Sequence, residues 1–146
     1  MTKTWLFAMA LCAGCGAAAT SARESLDESI RSYNEGVRWG RYAMAAARLP
    51  MQARSHFVEE MDKRAEEVRI TDYEIVTVDA KGPREARVHV KMSWYRDDEQ
   101  ILHQTHAVQT WERTGKTWLM VDESKLRGPD LPGLADRGAS TEPNPL

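Results

Sequence analysis

The feature that most constrains the fold of this chain is a strict alternation of apolar and polar residues between Glu85 and Arg96. Every second residue from Ala86 to Trp94 is apolar, and the residues between them are polar or charged. A period of two is typical of a strand that buries one face of an antiparallel sheet and exposes the other. The segment therefore predicts a half-buried strand, which needs neighbouring strands and a cover for its apolar face.

Three further segments are predicted to be strands, and turn signals separate them. The four predicted strands are Arg69–Asp79, Glu85–Arg96, Ile101–Arg113 and Thr117–Asp122. The polar break Asp97–Gln100 has the length of a hairpin loop. Gly115 supplies the positive φ that a tight hairpin turn needs. We therefore expect a sheet whose strands follow one another in hairpin order.

The two hairpin turns predict which side chains share the covered face. The first turn places Trp94 opposite His103, and the second, closed over residues 113–116, places Trp111 opposite Trp118. A directly opposed aromatic pair contributes about 0.2–1 kcal/mol over an alanine pair. Both registers place the same residues on one face: Val88, Val90, Met92, Trp94, His103, Thr105, Ala107, Trp111, Trp118 and Met120.

Composition excludes several classes of site. Both cysteines, Cys12 and Cys15, precede the predicted domain, so neither an intradomain disulfide nor a thiolate metal site is expected there. A net charge of -2 gives no general attraction to nucleic acid or acidic lipid. The sequence also has no spacing typical of a metal site and no glycine-rich phosphate loop. We therefore expect no metal, no other cofactor and no nucleic-acid partner.

The first residues have the pattern of an export signal. Lys3 precedes a short apolar run, residues 5–11, which is far below the ~20 residues that a membrane-spanning helix needs. The run is followed by Cys12-Ala13-Gly14-Cys15, which resembles the lipobox of bacterial lipoproteins, in which Ala-Gly precedes an acylated cysteine. The sequence departs from that motif at Cys12, where leucine is usual. We therefore predict a signal peptide over residues 1–14.

The lipobox resemblance implies that the mature chain begins at Cys15 and carries acyl chains such as palmitate there. Residues 15–24 would then be a tether. Gly16, which stands where an aspartate would retain a lipoprotein in the inner membrane, implies sorting to the outer membrane, facing the periplasm. The alternative is an ordinary signal that is cleaved after Ala19, so that the mature chain begins at Thr20.

The segment before the strands is predicted to form helices. Its first apolar residues recur on one helical face: Leu26, Ile30, Tyr33 and Val37. Ser25 fits the start of that helix as a capping residue. Pro50 separates a second helical segment, Arg41–Leu49, from a third, Met51–Val68. Helices first and hairpin-ordered strands afterwards predict an α+β fold.

Four short segments within this order resemble small bacterial lipoproteins of the nuclear-transport-factor-2-like, or SnoaL-like, superfamily. They are Val37–Tyr42, Arg69–Glu74, Trp94-Tyr95 and Gln109–Trp111. The resemblance covers roughly Ser25–Glu123. It implies N-terminal helices packed in the concave face of a curved four-stranded antiparallel sheet. That cone-like fold encloses a ligand pocket in some relatives.

The end of the chain is predicted to be disordered. Residues 127–146 hold four of the six prolines and three of the nine glycines, with little apolar periodicity. Such a segment cannot bury enough surface to offset its ordering entropy. We therefore expect one folded domain, residues 25–126, followed by a disordered tail.

His103 is the ionisable residue that the register places among the tryptophans. An imidazole there could act as general acid or base, or could simply be a core or rim histidine. Asp72 is the one acidic residue that could approach it, although it could equally cap the entry of its strand. In some enzymes of the superfamily an Asp–His pair or a single Asp in the cone acts as the base. The resemblance also implies a pocket, and we expect its wall to include five residues: Trp94, His103, Thr105, Trp111 and Trp118.

Two functions from different classes remain. The first is a membrane-anchored domain that binds an envelope protein or a small apolar ligand without catalysis. The second is a SnoaL-like isomerase, dehydratase or cyclase that acts on a small carbonyl compound in the cone. An enzyme needs a base that a second group holds within reach of the substrate proton. Because His103 has no secure partner, the sequence favours binding, and it leaves the oligomeric state open, a dimer included.

Overall fold

The computed structural model of this protein describes residues 17–136. The helices are α1 (Ala17–Arg38), α2 (Tyr42–Ala46) and α3 (Arg54–Arg64), and the strands are β1 (Val68–Ala80), β2 (Glu85–Arg96), β3 (His103–Thr114), β4 (Thr117–Arg127) and β5 (Ala135–Asp136). A single 3-10 turn, Met51–Ala53, precedes α3. Within this range no helix has the length and apolar character that crossing a membrane requires.

The strands form one sheet in the order β1-β2-β3-β4-β5. The first four strands run antiparallel to their neighbours, and the short β5 pairs with β4 in parallel. Helices followed by a curved, four-stranded antiparallel sheet confirm the predicted α+β fold. The predicted apolar stripe of α1 is also confirmed, because all of its members are buried: Leu26, Ile30, Tyr33 and Val37.

The first hairpin has the predicted register. Trp94 lies opposite His103, and Met92 lies opposite Thr105. The Trp94 indole Nε1 donates a hydrogen bond of 3.0 Å to Thr105 Oγ1, so the buried N–H group has a partner. The alternation of β2 therefore places its apolar side chains in the core, as the sequence predicted.

The second hairpin differs from its predicted register by two residues. Trp111 lies opposite Met120, and Trp118 lies opposite Arg113, because the turn closes at Thr114. The predicted direct pairing of the two tryptophans is therefore wrong. Side chains on a strand alternate with a period of two, so a shift of two residues changes partners but keeps every side chain on its face. Both indoles accordingly remain in the core.

A β-bulge at Val121 interrupts the alternation of β4. Simple alternation from Met120 would point Asp122 toward the covered face. Because of the extra residue, Glu123 instead lies opposite Gln109 on that face. Bulges re-aim side chains in this way. The sequence predicted that this strand ends at Asp122, but β4 continues to Arg127.

The N-terminal end of α1 corrects the predicted start of the first helix at Ser25. The helix begins at Ala17, so residues 17–24 are helical, and Ser25 lies inside the helix instead of capping it. Alanine has the highest intrinsic helix propensity, and this stretch is rich in alanine. The predicted signal peptide and Cys15 lie outside the described residues.

The segment after β4, residues 128–136, folds back on the domain, and we call it the returning segment. Leu131 is only 2 % exposed and belongs to the core. The Pro129 carbonyl accepts a hydrogen bond of 2.7 Å from Thr105 Oγ1. The predicted disorder is therefore wrong for this segment, because one buried leucine and the backbone contacts hold it. The last ten residues, 137–146, lie outside the described part of the chain.

One glycine allows this return. Gly128 has φ +99, a conformation that side chains disfavour, and a Cβ atom there would lie 2.6 Å from the Gln104 carbonyl oxygen. Only a residue without a side chain fits so close to a neighbouring backbone. The Gly128-Pro129 pair is a sequence signal for such a turn. A Gly-Pro pair is equally typical of a disordered tail, so the signal did not predict the fold-back.

Candidate functional site

The candidate catalytic pair of His103 and Asp72 does not form. His103 lies at the edge of the inner face, where its ring centroid is 4.6 Å from that of Trp94 and its Nε2 is 3.4 Å from Glu99 Oε2. Asp72 lies on β1, is exposed and forms an ion pair of 3.2 Å with Arg38. Since β2 separates their strands, Asp72 does not approach His103, a contact that the sequence had left open.

The residues predicted to line a pocket are instead packed together. Trp94, Trp111 and Trp118, which we call the tryptophan group, are at most 5 % exposed. Thr105 is fully buried between strands, and His103 covers one edge of Trp94. Large aromatic side chains fill this part of the inner face and leave no space for a ligand. None of these five residues lines a cavity that the structure contains between α3, the end of α1 and β4.

That cavity has a volume of about 390 Å³ and lies between α3, the end of α1 and β4. Its wall is largely apolar, from Val37, Leu49, Pro50, Ala53, Phe57, Met61, Met92, Met120, Val121, Gly133 and Leu134. Its polar and charged residues are Tyr33, His56, Glu60, Arg64, Asp122 and Glu123. Buried Met92 and Met120 mark its inner end, and exposed His56 and Asp122 mark its mouth. Its size and mixed wall are typical of small-molecule sites.

A hydrogen-bonded group of four residues forms the polar side of this region, and we call it the polar cluster: Tyr33, Asn34, Gln109 and Glu123. Tyr33 Oη donates to Glu123 Oε2 over 2.6 Å. Gln109 Nε2 donates to Asn34 Oδ1 over 2.8 Å and to Glu123 Oε1 over 3.1 Å. Both oxygens of the carboxylate therefore accept a hydrogen bond from a buried donor.

The amide groups of the cluster are also satisfied on their other sides. Asn34 Nδ2 donates to the Ile30 carbonyl over 2.9 Å and lies 3.3 Å from Gln109 Oε1. The same oxygen accepts a hydrogen bond of 3.2 Å from Trp111 Nε1. Burying amides without partners would cost several kcal/mol, on the order of 1–3 kcal/mol for each group. The cluster is therefore a fully connected network that fixes α1 against β3 and β4.

Burial raises the pKa of Tyr33 well above the ordinary value of 10.0. The charge of Glu123 and the hydrogen bond to it raise this pKa further, while the more distant Arg64 guanidinium lowers it. Tyr33 therefore keeps its proton at any physiological pH, and that proton points at Glu123.

Arg64 contributes the cationic group of the cavity wall. It is the last residue of α3. Among residues 25–135 no hydrogen bond or ion pair to its guanidinium is formed, although its backbone carbonyl accepts a hydrogen bond from Glu67 N. Three carboxylates share the same wall: Glu60, Asp122 and Glu123. No group of three or more histidine, cysteine, aspartate or glutamate side chains within the described residues is placed to hold a metal ion.

The sequence contained a signal for two members of the polar cluster. Gln109 interrupts the inner-face positions of β3 between Ala107 and Trp111, and Asn34 follows Ile30 by one helical turn. Polar residues at such positions are buried and need partners. Glu123 gave no such signal, because only the bulge turns it inward.

Comparison with known proteins shows the fold but no close relative. No protein-family model matches the sequence, and no curated protein matches it. Several solved structures have a similar fold at very low sequence identity. A SEC-C motif-containing protein from Rhodopseudomonas palustris is 13% identical with a TM-score of 0.61, over 76% of this chain and 86% of that one.

Two of the similar structures carry the names of enzyme types. A scytalone dehydratase-like protein from Novosphingobium aromaticivorans is 10% identical with a TM-score of 0.58, over 85% of this chain and 97% of that one. A ketosteroid isomerase-like protein from Erwinia carotovora atroseptica is 11% identical with a TM-score of 0.58, over 71% of this chain and 95% of that one. The nuclear-transport-factor-2-like cone that the sequence resemblance implied is thereby confirmed as a fold. A shared fold does not establish a shared activity.

Proposed function

We propose that this chain is a lipid-anchored domain of the bacterial cell envelope that binds a small, mostly apolar ligand in its cavity without catalysis. The observation that carries the proposal is a cavity of about 390 Å³ with an apolar wall and a few polar groups on one side. Sites that bind small molecules combine these same features, because apolar walls supply affinity and a few polar groups fix orientation.

The arrangement of the polar cluster favours binding over acid–base catalysis. A general base must reach a proton of the substrate. Both oxygens of Glu123 already accept hydrogen bonds from Tyr33 and Gln109, so the carboxylate is engaged within the cluster. His103, the other candidate base, lies outside the cavity wall. The cluster therefore serves as a fixed polar surface against which a ligand can dock.

A cavity-filling substitution tests the binding function. In the unlipidated protein, residues 16–146, Ala53→Trp should fill the cavity and abolish binding of small apolar ligands, measured by calorimetry. Ala53 lines the cavity. The matched control is Ala47→Trp, which places the same side chain at an exposed position and should leave binding unchanged. Binding that survives Ala53→Trp would place the ligand elsewhere and contradict the proposal.

The anchor is supported by the segment Cys12-Ala13-Gly14-Cys15. We expect mass spectrometry of the mature protein to find acyl chains on Cys15 at its N-terminus. Cys15→Ser should move the protein from the membrane fraction to the soluble fraction without changing its unfolding midpoint, since Cys15 precedes the folded part described above. An unmodified mature chain that begins at Thr20 would contradict the anchor. More than one acyl chain is needed for stable anchoring.

An enzyme that acts on a small carbonyl compound is the second candidate. It is favoured by one contact, the 2.6 Å hydrogen bond between Tyr33 and Glu123 at the cavity, since a phenol and a carboxylate can together exchange a proton with a substrate. Turnover of small ketones by the purified protein, lost in Glu123→Gln and retained in His103→Gln, would establish it. Absence of turnover alongside saturable binding would support the binding function.

A further inference from the structure

We infer that the ligand of this cavity is an apolar molecule with an ammonium group, such as an alkylamine, and that carboxylates of the same size are excluded. The inference rests on the proposed binding function and specifies the ligand class. It follows from the hydrogen-bonding capacity of the cavity wall and from its charge.

The Tyr33–Glu123 side of the cavity wall offers acceptors and no free side-chain proton, whereas Arg64 and His56 supply the donors of the wall. The single hydroxyl proton of Tyr33 is donated to Glu123 over 2.6 Å. The two amide protons of Gln109 are donated to Asn34 and Glu123. Lone pairs of the Glu123 carboxylate and of the Tyr33 hydroxyl are what remain for a ligand. A ligand group must therefore donate hydrogen bonds to be accommodated there.

The charge of the cavity wall also favours a cation. Glu60, Asp122 and Glu123 contribute three negative charges, and Arg64 contributes one positive charge, which leaves a net charge of -2 when His56 is neutral. Charges in a partly desolvated cavity interact more strongly than they do in bulk water. An ammonium group is thus attracted both by the net charge and by the acceptors, whereas a carboxylate is repelled by both.

The positive charge of Arg64 opposes the preference for an ammonium group. The position of Arg64 limits this repulsion. It separates the cavity from a second depression on the other side, which Arg38, Trp39, Tyr42 and Arg69 also line. Arg64 therefore borders two spaces instead of the cavity alone. Removing this charge should strengthen the binding of an amine. Arg64→Gln is therefore a variant that should raise amine affinity, whereas the carboxylate variants should lower it.

The remainder of the wall fits an apolar body. Met61, Met92 and Met120 surround the inner end, and thioether side chains adapt to the shape of a ligand. The ring of Phe57, 5.9 Å from that of Tyr33, adds an aromatic surface that can also interact with a cation. The ligand class that matches the whole wall is an amine attached to a chain or ring of hydrocarbon.

A series of three ligands tests this inference. Decylamine, decanol and decanoate have the same chain length and differ in charge and in hydrogen-bond donors. We expect calorimetry near neutral pH, below the critical micelle concentrations, to give at least about tenfold tighter binding for the amine than for the alcohol, as a charge-assisted hydrogen bond predicts. Decanoate should bind most weakly.

Three variants assign the preference to named residues. Glu123→Gln should reduce amine affinity about tenfold more than alcohol affinity. Asp122→Asn, at the exposed mouth, carries little risk of unfolding and should reduce amine affinity by a smaller factor of about two to three, the size expected of a solvent-screened charge. Arg64→Gln should increase it. The matched control Glu112→Gln removes an exposed carboxylate outside the cavity wall and should change nothing.

The outcomes separate this inference from the proposed function. Equal binding of the three ligands, or tightest binding of decanoate with its loss in Arg64→Gln, would overturn the amine preference and leave the binding cavity in place. If no ligand of the series binds, and other apolar ligands bind equally to the wild type and to Ala53→Trp, the amine preference and the binding function of the cavity are both overturned. Preferential amine binding that Ala53→Trp abolishes and Asp122→Asn weakens would support both.

Discussion

Two groups of side chains lie between the helices and the inner face of the sheet, and they fill that space in opposite ways. The tryptophan group packs into the core with at most 5 % of each residue exposed. The polar cluster satisfies its groups with hydrogen bonds and borders an open cavity. Close-packed aromatic rings remove space, whereas a hydrogen-bonded network holds a wall in place without filling the volume beside it. The cavity, and with it the proposed binding region, therefore lies where the apolar alternation is interrupted, and not where the alternation is strongest.

Trp111 joins the two groups. Its indole Nε1 donates to Gln109 Oε1, and its ring meets that of Tyr33 edge-on at 6.1 Å. The same side chain is fully buried in the hydrophobic core. Substitutions in the tryptophan group and in the polar cluster therefore test how far the two groups depend on each other.

The largest expected effect is that of Trp111→Ala. Loss of a fully buried indole should lower the free energy of unfolding by about 3–5 kcal/mol, measured by urea denaturation at constant m value. The control is Trp39→Ala, because Trp39 is 62% exposed and its loss should cost about 0.5 kcal/mol or less. If Trp111→Ala costs no more than the control, the packed region does not extend to this residue.

Breaking the polar cluster should have the next largest effect. Gln109→Leu removes the amide that bonds to Asn34, Trp111 and Glu123. Leaving buried partners unsatisfied should cost about 1–3 kcal/mol. Gln104→Leu, an exposed position on the same strand, should stay within about 0.5 kcal/mol of the wild type. Equal effects at the two positions would show that the network adds nothing to stability.

Tyr33→Phe should change how stability depends on alkaline pH. Burial, then the charge and hydrogen bond of Glu123, raise the pKa of Tyr33 above 10.0, so the folded protein keeps a proton that the unfolded chain loses. The stability from Tyr33 is fully present below pH 10 and is lost as the pH rises from there through the raised pKa.

The wild type should therefore lose up to about 1.4 kcal/mol per pH unit above pH 10 more than Tyr33→Phe does. Comparison of the two proteins cancels the contribution of Tyr73, whose pKa burial also raises. Parallel curves for the two proteins, recorded by urea denaturation between neutral and alkaline pH, would argue against a buried phenol bonded to Glu123.

The smallest expected effect is that of His103→Gln. The histidine lies at the edge of the packed region, stacked on Trp94 and near Glu99. Its loss should cost about 1 kcal/mol or less, as for a partly exposed aromatic contact, and should leave ligand affinity unchanged. A large loss of affinity in this variant would move the binding region toward the tryptophan group.

The sequence by itself determined the covered face of the sheet. The alternation in β2 and the apolar stripe of α1 identified the buried residues, and the hairpin turns predicted the strand order and the first register. These features depend on side-chain periodicity and turn chemistry within short segments, which a single sequence displays directly. Even the two-residue error in the second hairpin left Trp111 and Trp118 on the correct face.

Tertiary structure alone decided where the polar cluster and the cavity lie. Glu123 faces inward because a bulge adds one residue to β4, and a bulge has no dependable sequence signal. The returning segment is held by Leu131 and by the bond from Thr105 to Pro129, contacts that join residues far apart in the chain. The cavity exists because α1, α3, β4 and the returning segment surround a space that their side chains do not fill. That space depends on how non-local elements meet, which local periodicity does not encode.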